Sequence, residues 1–188
     1  METVVISVIG LDCPGVVYTV AETLAQANVN IEAMTQTILQ GQFASIFVAT
    51  LPDGVEQARI KEQTEAAIAR RNMHLTVHIH AFEQNVSDKE PEESEPFVIT
   101  VTGRDRPNVI ASISKILFDH AVNIESLKAM LPTPEEDACL LVFEIALPVS
   151  VDRNAFRLTL LGKGEELGLE VSIQHRDIFE ALHRISTI

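Results

Sequence analysis

Two segments of the chain, residues 4–9 and 97–102, are rich in β-branched residues and have the two-residue period of a β-strand. Because both sets of alternating positions are largely apolar, each segment is predicted to be a central strand. Apolar residues at helical spacing follow each strand, which predicts an amphipathic helix in both places. These helical stripes are Val16, Val17, Val20 and Leu24, and then Val109, Ile110, Ile113 and Leu117.

Two further strands, a second helix and a final strand follow in each half of the chain. The helices are predicted to begin near residues 53–56, where Asp53 and Glu56 have capping-box spacing, and near Ser150, with the latter ending at Gly168. The order β-α-β-β-α-β, found twice, predicts an α+β fold of two tandem ferredoxin-like units, each an antiparallel sheet with its helices on one face. The second strands are predicted to open at 28–31 and 121–124, the third to span 44–50 and 139–146, and the last to span 75–82 and 169–178.

The two halves are copies of one unit. Val4 to Glu32 aligns with Phe97 to Glu125 at a constant offset of 93, and 12 of the 29 aligned residues are identical. Average composition would give only ~2 matches by chance. The alignment resumes after a three-residue insertion near 132–137. We therefore predict two domains, residues 1–82 and 97–188, joined by residues 83–96.

The predicted linker, residues 83–96, contains six carboxylates, one Lys and two prolines. Such a segment cannot bury enough apolar surface to offset its ordering entropy, so an extended, solvated linker is expected. The whole chain carries a formal net charge of −13. This charge argues against a phosphate-binding surface, and therefore against direct contact with nucleic acid.

The expected compartment is the cytoplasm. No apolar run reaches the ~20 residues of a membrane span, and the N-terminus lacks the basic region of a signal peptide, so no membrane contact is expected. Cys13 and Cys139 occupy non-equivalent positions in the two repeats without C-x-x-C spacing. This arrangement favours reduced thiols over a disulfide framework.

Motifs for catalysis and for cofactor binding are absent from the sequence. It contains no G-x-S-x-G, G-x-x-x-x-G-K-[ST], G-x-G-x-x-G or H-E-x-x-H, so neither an enzyme nor a cofactor is expected. His74, His78 and His80 fall on one face of a predicted strand; they could bind a metal, but an exposed polar sheet face explains them better. The run Gly162-Lys163-Gly164 favours a weakened or interrupted helix.

The turn between the first strand and the first helix carries the most specific signal. It reads L-D-x-P-G-V at residues 11–16, is paired with V-N-I at the opening of the second strand, and recurs in the second half within T-V-T-G-R-D-R-P. These motifs resemble the ACT domain, a small module that binds amino acids and regulates enzymes or transcription. Two such domains without a catalytic domain resemble the glycine cleavage system transcriptional repressor family.

The resemblance implies a ligand between this turn of one domain and the second-strand start of its neighbour. It marks Asp12, Pro14, Gly15, Asn30 and Ile31 in the first repeat, and Asp105, Pro107, Asn108, Asn123 and Ile124 in the second. A helix N-terminus offers backbone N–H groups to a carboxylate, and the Asp could pair with the ammonium group of an amino acid. Alternatively, the Asp residues only cap their helices and the Asn residues only satisfy backbone groups.

The second site departs from the family pattern at two positions. Asn108 replaces a glycine and adds a side chain where a ligand carboxylate needs room, and Ala121 stands where the family commonly has a helix-ending glycine. If the backbone there is left-handed, Ala costs on the order of 1 kcal/mol relative to Gly, whereas Asn28 tolerates that conformation better. The second site is therefore expected to be the weaker one.

The function that the resemblance implies is that of a non-enzymatic sensor of a small amino acid, glycine or a similar one. The sensor would act on glycine cleavage genes through a DNA-binding activator protein. The alternative is a regulatory subunit of an amino-acid biosynthetic enzyme, and a small hydrolase that uses Arg104 and Arg106 ranks below both. The unpaired second strand at each sheet edge predicts pairing of domains, within the chain or in a homodimer.

Overall fold

A computed structural model describes residues 1–83, 93–104, 106–130 and 138–184, without the side chains of residues 138 and 182–184. The chain divides into two compact units, Met1–Val86 and Ser87–Ile188. Each unit has its own sheet and its own hydrophobic core. No helix within the described ranges is long and apolar enough to cross a membrane.

The first unit follows the predicted order of elements. They are β1 (Glu2–Leu11), α1 (Val16–Gln26), β2 (Asn30–Leu39), β3 (Gln42–Leu51), α2 (Gln57–Arg70) and β4 (Leu75–Ala81). The strands form one antiparallel sheet in the order β2-β3-β1-β4. β2 is therefore an edge strand, hydrogen-bonded on one side only.

The core of the first unit lies between the sheet and its two helices. Val4, Ile6 and Val8 of β1 are fully buried in one cluster with apolar residues of α1, α2 and β3. The intervening residues point to the opposite side of the sheet, because side chains alternate along a strand. This side is called the open face; on the two central strands it consists of Thr3, Val5, Ser7, Ile9, Ala44, Ile46, Val48 and Thr50.

The second unit repeats this arrangement. Its elements are β5 (Ser94–Arg104), α3 (Val109–Asp119), β6 (Asn123–Met130), β7 (Ala138–Pro148), α4 (Arg153–Leu167), β8 (Leu169–His175) and α5 (Arg176–Arg184). The antiparallel sheet has the order β6-β7-β5-β8, and its core contains the apolar residues of α3 and α4. Two tandem ferredoxin-like units, as predicted, are thereby confirmed.

The C-terminal helix α5 differs from the prediction. The last strand was expected to continue to Ile178, but β8 ends at His175 and α5 begins at the next residue. Phe179 of α5 lines a cleft together with Thr100, Val142 and Ser172, which lie on the open face of the second sheet. The second unit therefore has helices on both faces of its sheet.

Gly10 and Gly103 are the next-to-last residues of β1 and β5. A Cβ atom on Gly10 would lie 2.1 Å from the backbone oxygen of His74, and one on Gly103 would lie 2.8 Å from the side chain of Leu169. Both glycines are required because the last part of each unit approaches the first strand closely.

The predicted capping box of α2 is wrong. The helix begins at Gln57, and its N-cap residue Glu56 makes no side-chain capping hydrogen bond. Asp53 pairs instead with the amino group of Met1, which lowers the pKa of the Asp53 carboxyl.

Helix α4 begins three residues later than predicted and has a genuine side-chain cap. Asp152 accepts hydrogen bonds from the backbone N–H groups of Asn154 and Ala155. The helix continues through residues 162–164, so it is not interrupted there, and the weakening of the helix by its glycines stays a prediction. It ends at Gly168, which is left-handed with φ 65°, as predicted.

The predicted linker is shorter than the sequence suggests, because residues 94–96 already pair with β7. Residues 84–92 of the linker, Asp105 and the insertion near 132–137 lie outside the described residues.

Candidate functional site

The turn after β1 shapes the N-terminus of α1. Gly15 is the N-cap residue and is left-handed, with φ 94° and ψ 4°, and no side chain caps the helix. Capping of α1 by Asp12, the alternative to ligand binding, is therefore wrong, because Pro14-Gly15 forms a turn that places Asp12 outside the helix. The first backbone N–H groups of α1 are left for another acceptor.

The Asp12 turn is held from two sides. The Asp12 backbone N–H donates to the carbonyl of Gly41 at 2.9 Å, in the tight turn between β2 and β3. The Thr19 hydroxyl donates to the carbonyl of Gly15 at 2.8 Å and lies 3.8 Å from the sulfur of Met73. These contacts fix the backbone of the turn without using the Asp12 carboxylate, which is exposed.

Asn30 and Ile31 lie at the opposite end of the sheet. Leu11, just before the turn, pairs with Gln42 of β3, whereas Asn30 pairs with Thr50 of the same strand. Eight residues at ~3.4 Å each separate these two rows by about 27 Å. Within the first domain, the turn and the start of β2 cannot touch one ligand.

The amide of Asn30 is partly engaged. Its Nδ2 donates to the Oε1 atom of Glu32 at 2.7 Å, and the hydroxyl of Thr50 donates to the same oxygen at 3.1 Å. Sequence reasoning missed this role of Glu32, although both repeats read V-N-I-E and the shared Glu was the available signal. Ile31 is half-buried beside the core.

The second repeat reproduces the turn without glycine. Asn108 is the N-cap of α3 and is left-handed, with φ 75°, and its side chain makes no capping hydrogen bond. Asn tolerates this conformation better than most residues. Pro107, Asn108 and Asn123 are exposed and Ile124 is half-buried, while Asp105 lies outside the described residues. As in the first repeat, Asn123 opens β6 at the end of the sheet far from this turn.

The helix ends that precede the second strands are left-handed in both repeats. Asn28 and Ala121 each have φ 55°. This confirms the expectation that Ala121 occupies a position that favours glycine.

The histidines on β4 and just before it are an exposed polar row. His74, His78 and His80 are exposed, and the rings of His78 and His80 lie 5.7 Å apart between centroids. Among the described residues, no group of three or more His, Cys, Asp or Glu side chains is assembled for a metal ion. Neither cysteine forms a disulfide; Cys13 packs at the margin of the first core and Cys139 is buried.

Comparison with known proteins places this fold in a sequence family. The family model of the ACT domain matches residues 2–80 and again residues 95–174. A UPF0237 protein of Methanopyrus kandleri is 39% identical over 88 residues, which are 47% of this chain and 96% of that protein. A UPF0237 protein of Methanococcus maripaludis is 32% identical over 92 residues, 48% of this chain and 99% of its own.

Two solved structures match both repeats. A protein of unknown function from Galdieria sulphuraria superposes with a TM-score of 0.73 at 21% identity, covering 93% of this chain and 98% of its own. A protein assigned, by name only, as a glycine cleavage system transcriptional repressor superposes with a TM-score of 0.63 at 13% identity. The match covers 92% of this chain and 96% of that protein. At these identities the similarity establishes the tandem fold alone. Since the family model matches most of the chain, once in each repeat, the chain belongs to the ACT domain family.

Proposed function

We propose that this chain is a non-enzymatic regulator that binds a small amino acid, glycine or a similar one, at the junction of two ACT domains. The observation that carries the proposal is the turn at the start of α1. Three features of one exposed turn suit a zwitterion: uncapped backbone N–H groups, a left-handed Gly15, and an Asp12 carboxylate outside the helix.

The helix N-terminus suits the ligand's carboxylate. Its N–H groups and the positive end of the helix dipole point in one direction. Gly15 keeps the approach to these groups open, because the nearest atom to a Cβ built there is a methyl carbon of Met73 at 3.6 Å. The exposed carboxylate of Asp12 suits the ammonium group of the same ligand.

Domain pairing would supply the other half of the site. An antiparallel pairing of two β2 strands inverts one domain relative to the other, so that the Asn30 end of one sheet meets the Asp12 end of its neighbour. The remaining donor and acceptor groups of the Asn30 amide would then reach the ligand. The register of β2 on β3, with these residues at opposite ends, supports such a shared site.

The regulatory part of the proposal is action on glycine cleavage genes through a DNA-binding activator protein. The net charge of −13 supports contact with a protein rather than with DNA. Ligand binding at a domain junction would change partner affinity only through a difference in ligand affinity between two domain placements.

Calorimetry with glycine, serine and other amino acids tests the sensing step. We expect Asp12→Ala to weaken binding at least ~10-fold, because a charge-assisted hydrogen bond contributes about 1.5–3 kcal/mol. Gly15→Val should abolish binding, since a β-branched residue is strained at φ 94°. Glu62→Ala, which removes an exposed carboxylate on α2, is the matched control and should bind as the wild type does.

The absence of heat with any amino acid, or equal affinities in the Asp12→Ala and Glu62→Ala variants, would rule out this site. The regulatory step has a separate test, in which proteins retained by the immobilised full chain are identified with and without glycine. A helix-turn-helix activator released or retained by glycine is the expected result. Recovery of a biosynthetic enzyme in its place would contradict the transcriptional role.

A further inference from the structure

Helix α5 covers part of the open face of the second sheet. It packs on β5 and β8, and a cleft of about 370 Å³ remains between Phe179 and the sheet. Val98 lies on this face and is only 2% exposed. Its counterpart in the first repeat, Val5, is half-buried. The ACT sheet of this protein can therefore carry an amphipathic helix on the side away from its own two helices.

The first residue of α5 is anchored by a carboxylate from the edge strand. The Arg176 guanidinium pairs with Glu125, and its Nη2 atom lies 3.8 Å from Glu144. The pairing with Glu125 raises the pKa of Arg176. Glu125 sits at the β-bulge of β6, where the register with β7 shifts.

The first domain has an equivalent carboxylate at the same place. Glu32 is the counterpart of Glu125 and also sits at a bulge, between Ile31 and Ala33 of β2. Asn30 and Thr50 both donate to its Oε1 atom, which holds the carboxylate in place. Within the described residues, the Oε2 atom of Glu32 makes no hydrogen bond or ion pair, so this oxygen is available to a cation.

No helix lies on the open face of the first domain in the described part of that unit. Ser7 of β1 lies opposite Ile46 of β3. Ile9 is 55% exposed and Ile46 is 48% exposed, and Val5 and Val48, which pair in the row beyond Ile46, are half-buried. These residues form an apolar strip on two adjacent strands, about 10 Å wide with their side chains, which matches the diameter of one α-helix. The strip is flanked by Thr35 and Thr37 of β2 and by His78 and His80 of β4.

We propose that the open face of the first domain binds one short amphipathic helix of a partner protein, with a basic residue at the start of that helix paired to Glu32. The occupant is a helix because the same face of the homologous sheet holds one in this chain. A basic first turn is specified by the carboxylate and by the negative charge of the protein. A narrow apolar strip with polar flanks is too small for a second sheet, which packs through a whole face.

The two faces differ in ways that define the partner. Val48 stands where the second domain has Glu144, so the partner helix meets one carboxylate where Arg176 meets two. His78 and His80 stand where the second domain has Ser172 and Gln174, and their rings can donate hydrogen bonds to polar residues on the flank of the helix. A regulatory role for this face rests on the proposed function. The binding of a helix to it does not require an amino acid.

The test uses the full chain, without amino acids, and a labelled peptide with the sequence of residues 175–184. Because so short a peptide is barely helical alone, Ala181→Lys is introduced and joined to Asp177 by a lactam on the exposed side. Fluorescence anisotropy should give one site with a dissociation constant on the order of 10–100 µM. In amide NMR spectra, the shifted resonances should belong to β1 and β3.

Variants of the protein and of the peptide identify the contacts. Glu32→Gln should weaken binding about 10-fold, and a peptide with Arg176→Gln should lose no further affinity for that variant. Ile46→Asp should abolish binding, whereas Leu158→Asp on the exposed side of α4 should not change it.

Three outcomes would overturn the proposal. In the first, the lactam peptide does not bind. In the second, the peptide binds equally to the Ile46→Asp variant and shifts only resonances of the second domain, where it would compete with α5. In the third, Ile46→Asp lowers the mass of the protein in solution, which would show that a second copy covers this face. None of these outcomes depends on amino-acid binding, so they are distinguishable from failure of the proposed sensor.

Discussion

The two repeats have different residues at one left-handed backbone position, Asn28 in the first and Ala121 in the second. Ala121 has φ 55° at the end of α3, where an L side chain other than Asn or Asp is strained. We expect Ala121→Gly to raise the free energy of unfolding by about 1 kcal/mol, since relief of this strain exceeds the entropy that glycine adds to the unfolded chain. Urea unfolding measures the change.

The equivalent residue of the first repeat provides the control. Asn28 has the same φ of 55° but tolerates it, so Asn28→Gly should change the free energy of unfolding by only a few tenths of a kcal/mol. If both substitutions have equal effects, left-handed strain at Ala121 is not the cause.

At the scale of one element, α4 contains two glycines with opposite roles. Gly162 is exposed and nothing lies near a Cβ built on it, so Gly162→Ala should stabilise the protein by about 0.5–1 kcal/mol. A Cβ on Gly164 would lie 2.6 Å from the side chain of Val171 and 3.0 Å from the carbonyl of Leu169. Gly164→Ala should therefore destabilise the protein by about 1–3 kcal/mol through overpacking against β8.

Thermal unfolding of the two single variants, one the control of the other, measures this contrast. A gain of stability from both substitutions would mean that α4 moves away from β8 at little cost. A loss from both would mean that the backbone or the surroundings of residue 162 do not accept a Cβ atom.

The sequence predicts the strands and helices that have a local hydrophobic pattern or that occur in both repeats. Period and duplication locate eight strands and four helices, because alternation and helical stripes record burial directly. The pattern missed α5, although Ile178, Phe179 and Leu182 have helical spacing. That helix is anchored by Glu125, 51 residues away, and local patterns do not report such a contact.

The candidate site was also predicted only in part from the sequence. The L-D-x-P-G-V turn was recognisable in the sequence, and its residues do lead into the N-terminus of α1. The mechanism of capping was mistaken, because Asp12-Cys13-Pro14 resembles a cap followed by a first-turn proline, whereas Pro14-Gly15 turns before the helix begins. The backbone conformation of one glycine decides between these two structures.

At the scale of the whole molecule, the predicted site residues of the first domain fall into two separate groups. The register places Asp12 and Asn30 at opposite ends of one sheet. No rearrangement within a domain brings them together, since the strands between them are rigid and hydrogen-bonded. If an amino acid binds between two domains as proposed, its binding and domain pairing are linked, so that weakening one weakens the other.

The edge strand β2 is the surface where this linkage can be tested. Its residues Met34, Ile38 and Leu39 are 43%, 53% and 68% exposed, so this edge presents large apolar side chains to solvent. We expect the wild type to be a dimer through this edge. Ile38→Lys should raise the dimer dissociation constant at least ~10-fold, because a charge replaces an apolar contact in a desolvated pairing.

Sedimentation or light scattering across a concentration series measures the mass, with Leu158→Lys, 69% exposed on α4, as the matched control. Calorimetry on the same Ile38→Lys sample should show weakened glycine binding, because the proposed site includes the Asn30 end of a second domain. A dimeric Ile38→Lys variant that binds glycine normally would contradict pairing through β2. A monomeric wild type that still binds glycine would place the pairing between the two repeats of one chain, and Ile38→Lys should then weaken glycine binding without any change in mass.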